Sequence, residues 1–199
     1  MSRLIESIRL YNGVFSRLGL HQRRIDRSCA HLFYQKPNWN LEKILKDSDF
    51  PAKGLYKCRI VYDSIAFEFE YEPYQPKLIQ SLRLVESNEI SYDHKYEDRS
   101  KINELLNLRD SQDDILIVKN GFITDTSFAN VVFQKNNEWF TTDSPLLRGT
   151  MRHLLLDSGV ISLTSIRKND IADFENFKLI NSMLEWDAPS IETSKIIIE

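Results

Sequence analysis

Apolar and polar positions alternate with two different periods along the chain. The clearest period of two runs from Ile65 to Glu72, where every second residue is aromatic or aliphatic and the residues between them are mostly glutamates. Such alternation predicts a half-buried strand. Short apolar runs that end at turn signals predict further strands over 4–10, 55–62, 77–85, 115–118, 122–134, 138–142, 161–167, 178–181 and 195–198.

Helical spacing of apolar residues marks the other segments. It predicts helices over 18–35, 41–46, 100–109 and 149–158, and a short helical turn over 170–174. Pro37 ends the first helix, Asn40 is a candidate cap of the second, and Gly159 closes the fourth. This mixture predicts an α+β fold of two layers joined near Lys95. We place the smaller N-terminal domain at 1–90 and the larger at 91–199, because the composition turns polar over 86–98.

Composition and charge exclude several classes of protein. With 199 residues and 42% hydrophobic content, the chain can bury one good core or two small ones. The net charge of -3, with both signs mixed, argues against a nucleic-acid partner. Cys29 and Cys58 lack the spacing of a metal site, so we expect no metal, and a reducing cytoplasm fits best. No apolar run is long enough for a signal peptide or a spanning helix, so we expect no membrane partner.

One segment carries the strongest chemical signal. The sequence from Gly121 to Phe133 predicts a strand that delivers one carboxylate, Asp125, and a hairpin follows it. The next segment, Ser144 to Arg152, predicts a loop that opens a helix with free amides. A carboxylate beside such amides suits a phosphorylated cofactor. The chain is therefore predicted to be an enzyme.

Six pieces of sequence, taken in order, resemble a known family. They are Glu6-Ser-Ile-Arg9, His21-Gln-Arg-Arg24, His94-Lys95-Tyr-Glu-Asp-Arg99, the segment 121–133, Leu146-Leu-Arg-Gly149-Thr-Met-Arg152, and Leu179-Ile-Asn181-Ser182-Met183. Together they resemble the aminotransferase class IV family, the fold-type IV pyridoxal-phosphate enzymes. These include branched-chain and D-amino-acid aminotransferases and aminodeoxychorismate lyase. The resemblance implies a two-domain fold with a reduced N-terminal domain and pyridoxal 5'-phosphate bound between the domains.

The resemblance assigns the chemistry to two residues. Lys95 matches the family's catalytic Schiff-base lysine, which holds the cofactor and shuttles a proton. Without the flanking pieces, it would be interpreted as a solvated charge among acidic neighbours. Asp125 stands where the family usually has Glu, the carboxylate that pairs with the pyridine nitrogen. Because it is one methylene shorter, either the backbone absorbs the difference, or water intervenes, or Asp125 is only a hydrogen-bonding strand residue.

The phosphate ligands are implied in the same way. Arg24 matches the family's phosphate arginine, and a guanidinium suits a phosphate dianion. Gly149 lets the backbone approach, and the amides of Thr150 and Met151 open the helix toward the anion. Ser182 after Asn181 matches a second phosphate-side turn, although an ordinary turn serine is the alternative.

Other polar residues receive weaker roles. Arg9 is a weak candidate for the substrate, and Asn130 is expected to buttress Asp125. His21 is expected to pack against Arg24 rather than act as a base, and Arg152 to lie on the helix surface or in an ion pair.

The implied function is a pyridoxal-phosphate enzyme acting at Cα of an amino-bearing carboxylic acid. It is either an amino-acid transaminase or resembles 4-amino-4-deoxychorismate lyase, which releases pyruvate and 4-aminobenzoate. A catalytically decayed protein that retains the cofactor is the alternative. The chain begins almost at Glu6, so the first strands of longer members are expected to be missing. Family members pair so that one subunit borders the other's site, which predicts a homodimer.

Overall fold

The computed structural model of the protein describes residues 3–198, which form two units. The first unit contains residues 3–76 together with His94–Asp98. The second contains Lys77–Asp93 and residues 99–198. A short segment around Lys95 therefore belongs to the first unit although the chain on both sides of it belongs to the second.

The first unit is an antiparallel sheet with helices on one face. Its strands are β1 (Leu4–Tyr11), β2 (Val14–Phe15), β3 (Leu55–Tyr62) and β4 (Phe67–Pro73), and their order in the sheet is β2-β1-β3-β4. Helices α1 (Leu18–Phe33) and α2 (Leu41–Lys46) lie between β2 and β3 in the chain. The Asn40 side chain caps α2 by accepting a hydrogen bond from the Lys43 amide, as predicted.

Alternation along the strands selects the core of this unit. Every second residue of β1 packs against apolar residues of α1, because successive strand side chains point to opposite faces. The buried cluster consists of Leu4, Ile8, Ile25, Cys29, Leu41, Leu45, Cys58, Ile60 and Tyr62. Glu6 lies on the same face of β1 and is fully buried, which makes it the exception in an apolar row.

The second unit contains a larger mixed sheet. The strands are β5 (Leu82–Glu86), β6 (Asp114–Lys119), β7 (Phe122–Thr126), β8 (Asn130–Lys135), β9 (Glu138–Thr142), β10 (Ser162–Thr164), β11 (Asn176–Ile180), β12 (Ile191–Glu192) and β13 (Ile196–Ile197). Their order is β10-β9-β8-β7-β6-β5-β13, and β11 pairs with both β8 and β12. The helices are α3 (Ser100–Leu106) and α4 (Thr150–Asp157). Single 3-10 turns occupy Asn107–Arg109, Lys168–Asp173 and Thr193–Lys195.

Two predicted strands differ from the structure. The strand predicted over 122–134 is divided into β7 and β8 by a bend at residues 127–129. The Thr126 side chain stabilises this bend by pairing with both the amide and the carbonyl of Ala129, at 3.1 Å each. The strand predicted over 77–85 begins only at Leu82 and pairs in parallel with β6, so it belongs to the second unit. The hydrophobic pattern could not show which unit this strand belongs to, because the pattern along a strand does not identify the strand that it pairs with in the folded chain.

Within residues 3–198, no helix combines the length and the apolar character needed to cross a membrane.

Candidate active site

The carboxylate of Asp125 lies at the end of β7, where the bend brings Asn130 opposite it. The two residues are cross-strand partners, and the Asn130 side-chain amide donates to Asp125 Oδ1 at 2.6 Å. The Leu147 amide donates to Oδ2 at 2.8 Å, while Asn130 also donates to the Leu147 carbonyl at 2.8 Å. The carboxylate is therefore fixed by neutral donors on both oxygens. Its neighbours come from β7, β8 and the loop before α4.

Burial dominates the electrostatics of Asp125. It raises the pKa of this carboxyl to about 6, against the lowering effects of the Leu147 amide, Asn130 and the positive charge of Arg152. The carboxylate is ionised at neutral pH, although neither of the groups that donate hydrogen bonds to it among the described residues is charged.

Helix α4 begins directly beside this carboxylate. Gly149 precedes it in extended conformation, and a Cβ atom at this position would meet Asn130 Oδ1 at 2.1 Å, so only glycine fits. No side chain caps the helix, and its first amides, from Thr150 onward, have no partner within the helix. The buried hydroxyl of Thr150 also has no hydrogen-bond partner among the described residues. This helix end therefore presents donors and a positive dipole with no acceptor from the described chain.

The turn after β11 lies at the same end of the sheet. Ile180 pairs with Asn130 across the β11–β8 ladder, and Asn181 and Ser182 follow at once. Asn181 Oδ1 accepts hydrogen bonds from the amides of Met183 and Leu184, at 2.8 and 3.1 Å. Asn181 thus closes the turn and holds the half-buried Ser182. The structure brings Asp125, the start of α4 and this turn together in the second unit.

Arg24 lies in the first unit, within a buried network on α1 and β1. Its guanidinium binds both oxygens of Glu6, with Nε at 2.8 Å from Oε1 and Nη2 bonded to Oε2. His21 Nδ1 lies 2.5 Å from the same Oε2. Burial alone would raise the pKa of Glu6, but the charge of Arg24 and the hydrogen bonds from Arg24 and His21 outweigh burial and lower this pKa to about 2. The arginine is held rigidly by an anion of the same unit.

His21 has the packed role predicted for it. It is fully buried, and burial lowers its pKa against the attraction of Glu6, so the ring is neutral. Because a carboxylate only accepts, Nδ1 carries the proton and donates to Glu6. Its Nε2 has no hydrogen-bond partner among the described residues.

Lys95 lies on a short segment bonded to β1, at a tight turn in which the Tyr96 amide donates to the His94 carbonyl at 2.9 Å. The Ile5 amide donates to the Lys95 carbonyl at 2.8 Å, and the Glu97 amide donates to the Arg3 carbonyl at 2.9 Å. Tyr96 forms an isolated antiparallel bridge with Leu4. The backbone of Lys95 is thus fixed, and its side chain is half-buried.

Two further arginines were given roles by the sequence, Arg9 and Arg152. Arg9 is half-buried on β1, and its guanidinium lies 4.7 Å from the centre of the Tyr11 ring; its substrate role stays a prediction. Arg152 is not on the helix surface as first expected, because it is buried, and its Nη2 donates to the Thr142 carbonyl at 2.8 Å. Its attraction for Asp125 makes it part of that site. Sequence reasoning missed this, since an arginine three residues into a helix carries no signal of burial.

A model of the amino-transferase class IV family matches residues 65–187, which is more than half of the chain. The chain belongs to the amino-transferase class IV family. The match includes Lys95, Asp125, the start of α4 and the turn at Asn181, while Arg9 and Arg24 precede it.

Two relatives of this class IV protein extend over nearly the whole chain. An uncharacterized protein of Haemophilus influenzae is 36% identical over 92% of this chain and 98% of its own. A protein of Schizosaccharomyces pombe, named "putative aminodeoxychorismate lyase", is 29% identical over 91% of this chain and 86% of its own. The similarity to these two relatives therefore extends beyond the segment that the family model matches.

A solved structure shows the same fold. The "putative 4-amino-4-deoxychorismate lyase" of Haemophilus somnus superposes with a TM-score of 0.87 at 33% identity, over 92% of this chain and 97% of that one. The predicted α+β, fold-type IV architecture is thereby confirmed.

Proposed function

We propose that this class IV protein is a pyridoxal-phosphate enzyme that acts at Cα of an amino-bearing carboxylic acid, as a 4-amino-4-deoxychorismate lyase. The observation that carries the proposal is the arrangement in the second unit. There, a buried carboxylate without a cationic hydrogen-bond partner lies beside an uncapped helix N-terminus. The names of the Schizosaccharomyces pombe and Haemophilus somnus proteins support the lyase over the transaminase.

The residues present fit this cofactor. The amides of Thr150 and Met151 and the unpartnered Thr150 hydroxyl are donors that a phosphate would accept from. Asp125, ionised above a pKa of about 6, is the acceptor that a protonated pyridine nitrogen needs. Asn130 and the Leu147 amide hold that carboxylate in place. The Asn181–Ser182 turn and Arg24 are the further phosphate ligands that we propose.

The cofactor's ring supplies an electron sink for the negative charge that develops at the substrate Cα. In our proposal, Lys95 would hold the cofactor through its amine and would take the proton from the substrate Cα. Asp125 would pair with the protonated ring nitrogen. The overall lyase reaction would divide its substrate into pyruvate and 4-aminobenzoate. Arg9 is the proposed ligand of a substrate carboxylate.

Cofactor uptake gives the first test. The purified protein with added pyridoxal phosphate should develop an absorbance band that borohydride bleaches. Lys95→Ala should abolish the bleachable band, whereas Lys101→Ala, at an exposed lysine on α3, should retain it. Equal loss in both variants, or no band in the unsubstituted chain, would contradict the proposal.

Product analysis then separates the reactions. Release of pyruvate and 4-aminobenzoate from aminodeoxychorismate supports the lyase, whereas amino transfer from D- or L-amino acids to 2-oxoglutarate supports the transaminase. Cofactor uptake without turnover in either assay would favour a decayed, cofactor-retaining protein. Asp125 is the residue that keeps this alternative open, because both of its oxygens already accept hydrogen bonds.

The homodimer and the cytoplasmic location also stay predictions. Sedimentation of the purified chain, with and without pyridoxal phosphate, tests the first, and fractionation of the source cells tests the second.

A further inference from the structure

The residue before Lys95 is a buried histidine in a chain of hydrogen bonds. His94 Nδ1 lies 3.0 Å from the Ser28 hydroxyl, and His94 Nε2 lies 2.7 Å from Nδ1 of His31. The two imidazoles are stacked, with ring centres 4.9 Å apart. His94 is buried and His31 is exposed, so the pair connects the interior of the first unit to solvent.

This pair holds the lysine segment against α1. The segment is bonded to β1 through the Lys95 carbonyl and the Glu97 amide. The ring of His94 contacts Ser28 and His31, which lie on α1. The backbone of Lys95 is therefore held between a strand and a helix. The contact with the helix is made by imidazoles, the side chains whose charge changes near neutral pH.

The hydrogen bond between the two rings limits how many protons the pair can carry. It needs a lone pair on one ring nitrogen and a proton on the other. The neutral pair and the singly protonated pair both satisfy this condition. A doubly protonated pair has no acceptor between the two rings and places two positive charges in contact, so double protonation breaks this hydrogen bond.

We infer that His94 is a positioning residue for Lys95 and that the His31–His94 pair forms a pH-sensitive latch on the lysine segment. The latch is closed while the pair carries at most one proton, and it opens when both rings are protonated. The importance of Lys95 rests on the proposed function; the latch itself does not.

The charged and titratable groups around the pair do not change the expectation that double protonation opens the latch. Tyr62 on β3 is hydrogen-bonded to Ser28, and burial raises its pKa, so it stays neutral over the relevant range. The Tyr96 ring meets His94 edge-on with centres 6.0 Å apart and is uncharged there. The charged groups of the packed elements include Glu6, Arg24, Asp26, Arg27, Asp63, Asp93, Lys95, Asp98 and Glu97, the last paired with Arg3 and Arg59. The hydrogen bond between the two rings needs its lone pair on a ring nitrogen whatever these charges are.

Hydrogen exchange tests the latch without any cofactor. Protection factors of the Ile5 and Glu97 amides, which bond the lysine segment to β1, are measured by NMR at pH 7.5 and 5.0. We expect them to fall about 3- to 10-fold at the lower pH, the equivalent of one lost hydrogen bond. In His31→Gln the pH dependence should vanish, because an amide keeps its donor and acceptor at both pH values. His153→Gln, at an exposed histidine of α4 that pairs with Asp157, should behave like the unsubstituted chain.

Protection in the unsubstituted chain that does not change with pH, or a pH dependence that survives in His31→Gln, would overturn the latch. The exchange data also stand if the proposed function fails, because they need no cofactor.

Trapping of Lys95 tests the positioning role. Borohydride-fixed pyridoxal phosphate is measured for the three proteins at the same two pH values. Titration of Asp125 and of the cofactor is common to all three, so only the difference between them reports on the latch. Between pH 7.5 and pH 5.0, the fall in pyridoxal phosphate uptake should be about 3- to 10-fold smaller in His31→Gln than in the unsubstituted chain or in His153→Gln. If hydrogen exchange confirms the latch but all three proteins lose the same share of uptake at pH 5.0, His94 does not position Lys95. If no protein takes up pyridoxal phosphate at either pH, the proposed function is contradicted instead.

Discussion

The two units each bury a carboxylate, and the two groups are shifted in opposite directions. Glu6 in the first unit binds Arg24 and His21, and its pKa falls to about 2. Asp125 in the second unit binds an amide side chain and a backbone amide, and its pKa rises to about 6. Burial is the largest single effect in both cases and raises both pKa values. The difference comes from the full positive charge that Glu6 contacts and Asp125 lacks.

Glu6 thus forms an ion pair within the chain, whereas Asp125 is a buried carboxylate that a cation would stabilise. Glu6 already has its counterion and serves to orient Arg24. Asp125 is hydrogen-bonded but not neutralised by direct contact, which is the state expected of a group that receives a cationic ligand. The predictions below test this distinction.

Removal of the Glu6 charge should have the largest effect. Glu6→Gln leaves the Arg24 guanidinium buried without its carboxylate, and the free energy of unfolding should fall by about 3–5 kcal/mol. Urea unfolding measures the change. The matched control is Glu42→Gln, which breaks the exposed pair with Lys46 and should cost far less, because water and salt screen a surface ion pair. Similar costs for the two variants would show that the buried pair contributes no more than a surface one.

The pH dependence of stability should show the two carboxylates with opposite signs. Glu6 has a lowered folded pKa, so its contribution is complete above pH 4.5 and is lost, by roughly 3 kcal/mol, as pH falls toward about 2. Asp125 has a raised folded pKa, so the folded state takes up its proton first. It therefore gains roughly 3 kcal/mol relative to the unfolded state as pH falls from about 6 through 3.8.

Chemical unfolding from pH 7 to pH 2.5 checks both slopes. The gain should be absent from Asp125→Asn, and the loss should be absent from Glu6→Gln. If both variants keep the unsubstituted profile, the opposite shifts of the two pKa values are wrong.

The Asp125 charge should also matter for binding of the cofactor. Asp125→Asn removes the anion that we propose for the pyridine nitrogen, and the affinity for pyridoxal phosphate should fall about 10- to 100-fold, the value of one hydrogen bond to a charged group. Absorbance titration measures it. Asp125→Glu keeps the negative charge and should retain affinity within a few-fold. If Asn binds as tightly as Asp, the carboxylate is only a structural strand residue.

Thr150 should show the smallest effect. Thr150→Val has nearly the same shape and removes a buried hydroxyl without a hydrogen-bond partner in the described chain, so the free energy of unfolding should rise by about 1 kcal/mol. The same change should lower the affinity for pyridoxal phosphate several-fold and leave the affinity for pyridoxal, which lacks the phosphate, unchanged. Equal weakening of both ligands would exclude Thr150 as a phosphate donor.

Much of the secondary structure could be predicted, because it depends on neighbours in sequence. The helices at Leu18–Phe33 and Leu41–Lys46 and the strand at Leu55–Tyr62 are confirmed, since side-chain period, turn residues and an Asn cap are all local. The bend at residues 127–129 was missed. It depends on a threonine side chain that pairs with the backbone within an otherwise apolar run.

The candidate site was predicted only as far as the resemblance to the family reached. That resemblance marked Lys95, Arg24, Asp125 and the start of α4, and their roles remain proposals. Of the groups that hold these residues, Asn130 beside Asp125 was predicted and is confirmed by the 2.6 Å hydrogen bond, whereas most of the others were not predicted. The Glu6 clamp on Arg24, the buried position of Arg152 and the contact of His94 with His31 join residues far apart in the chain. Such contacts follow from packing and not from spacing.

The sequence by itself thus determined the strands and helices, the family and the residues that carry charge. Only the tertiary structure decided what each charge contacts. Two acidic residues in one chain have similar intrinsic pKa values, and nothing in their local sequence separates them. Folding placed a guanidinium against Glu6 and neutral amides against Asp125. Because the interior screens charge weakly, that choice of neighbour fixed their opposite electrostatics.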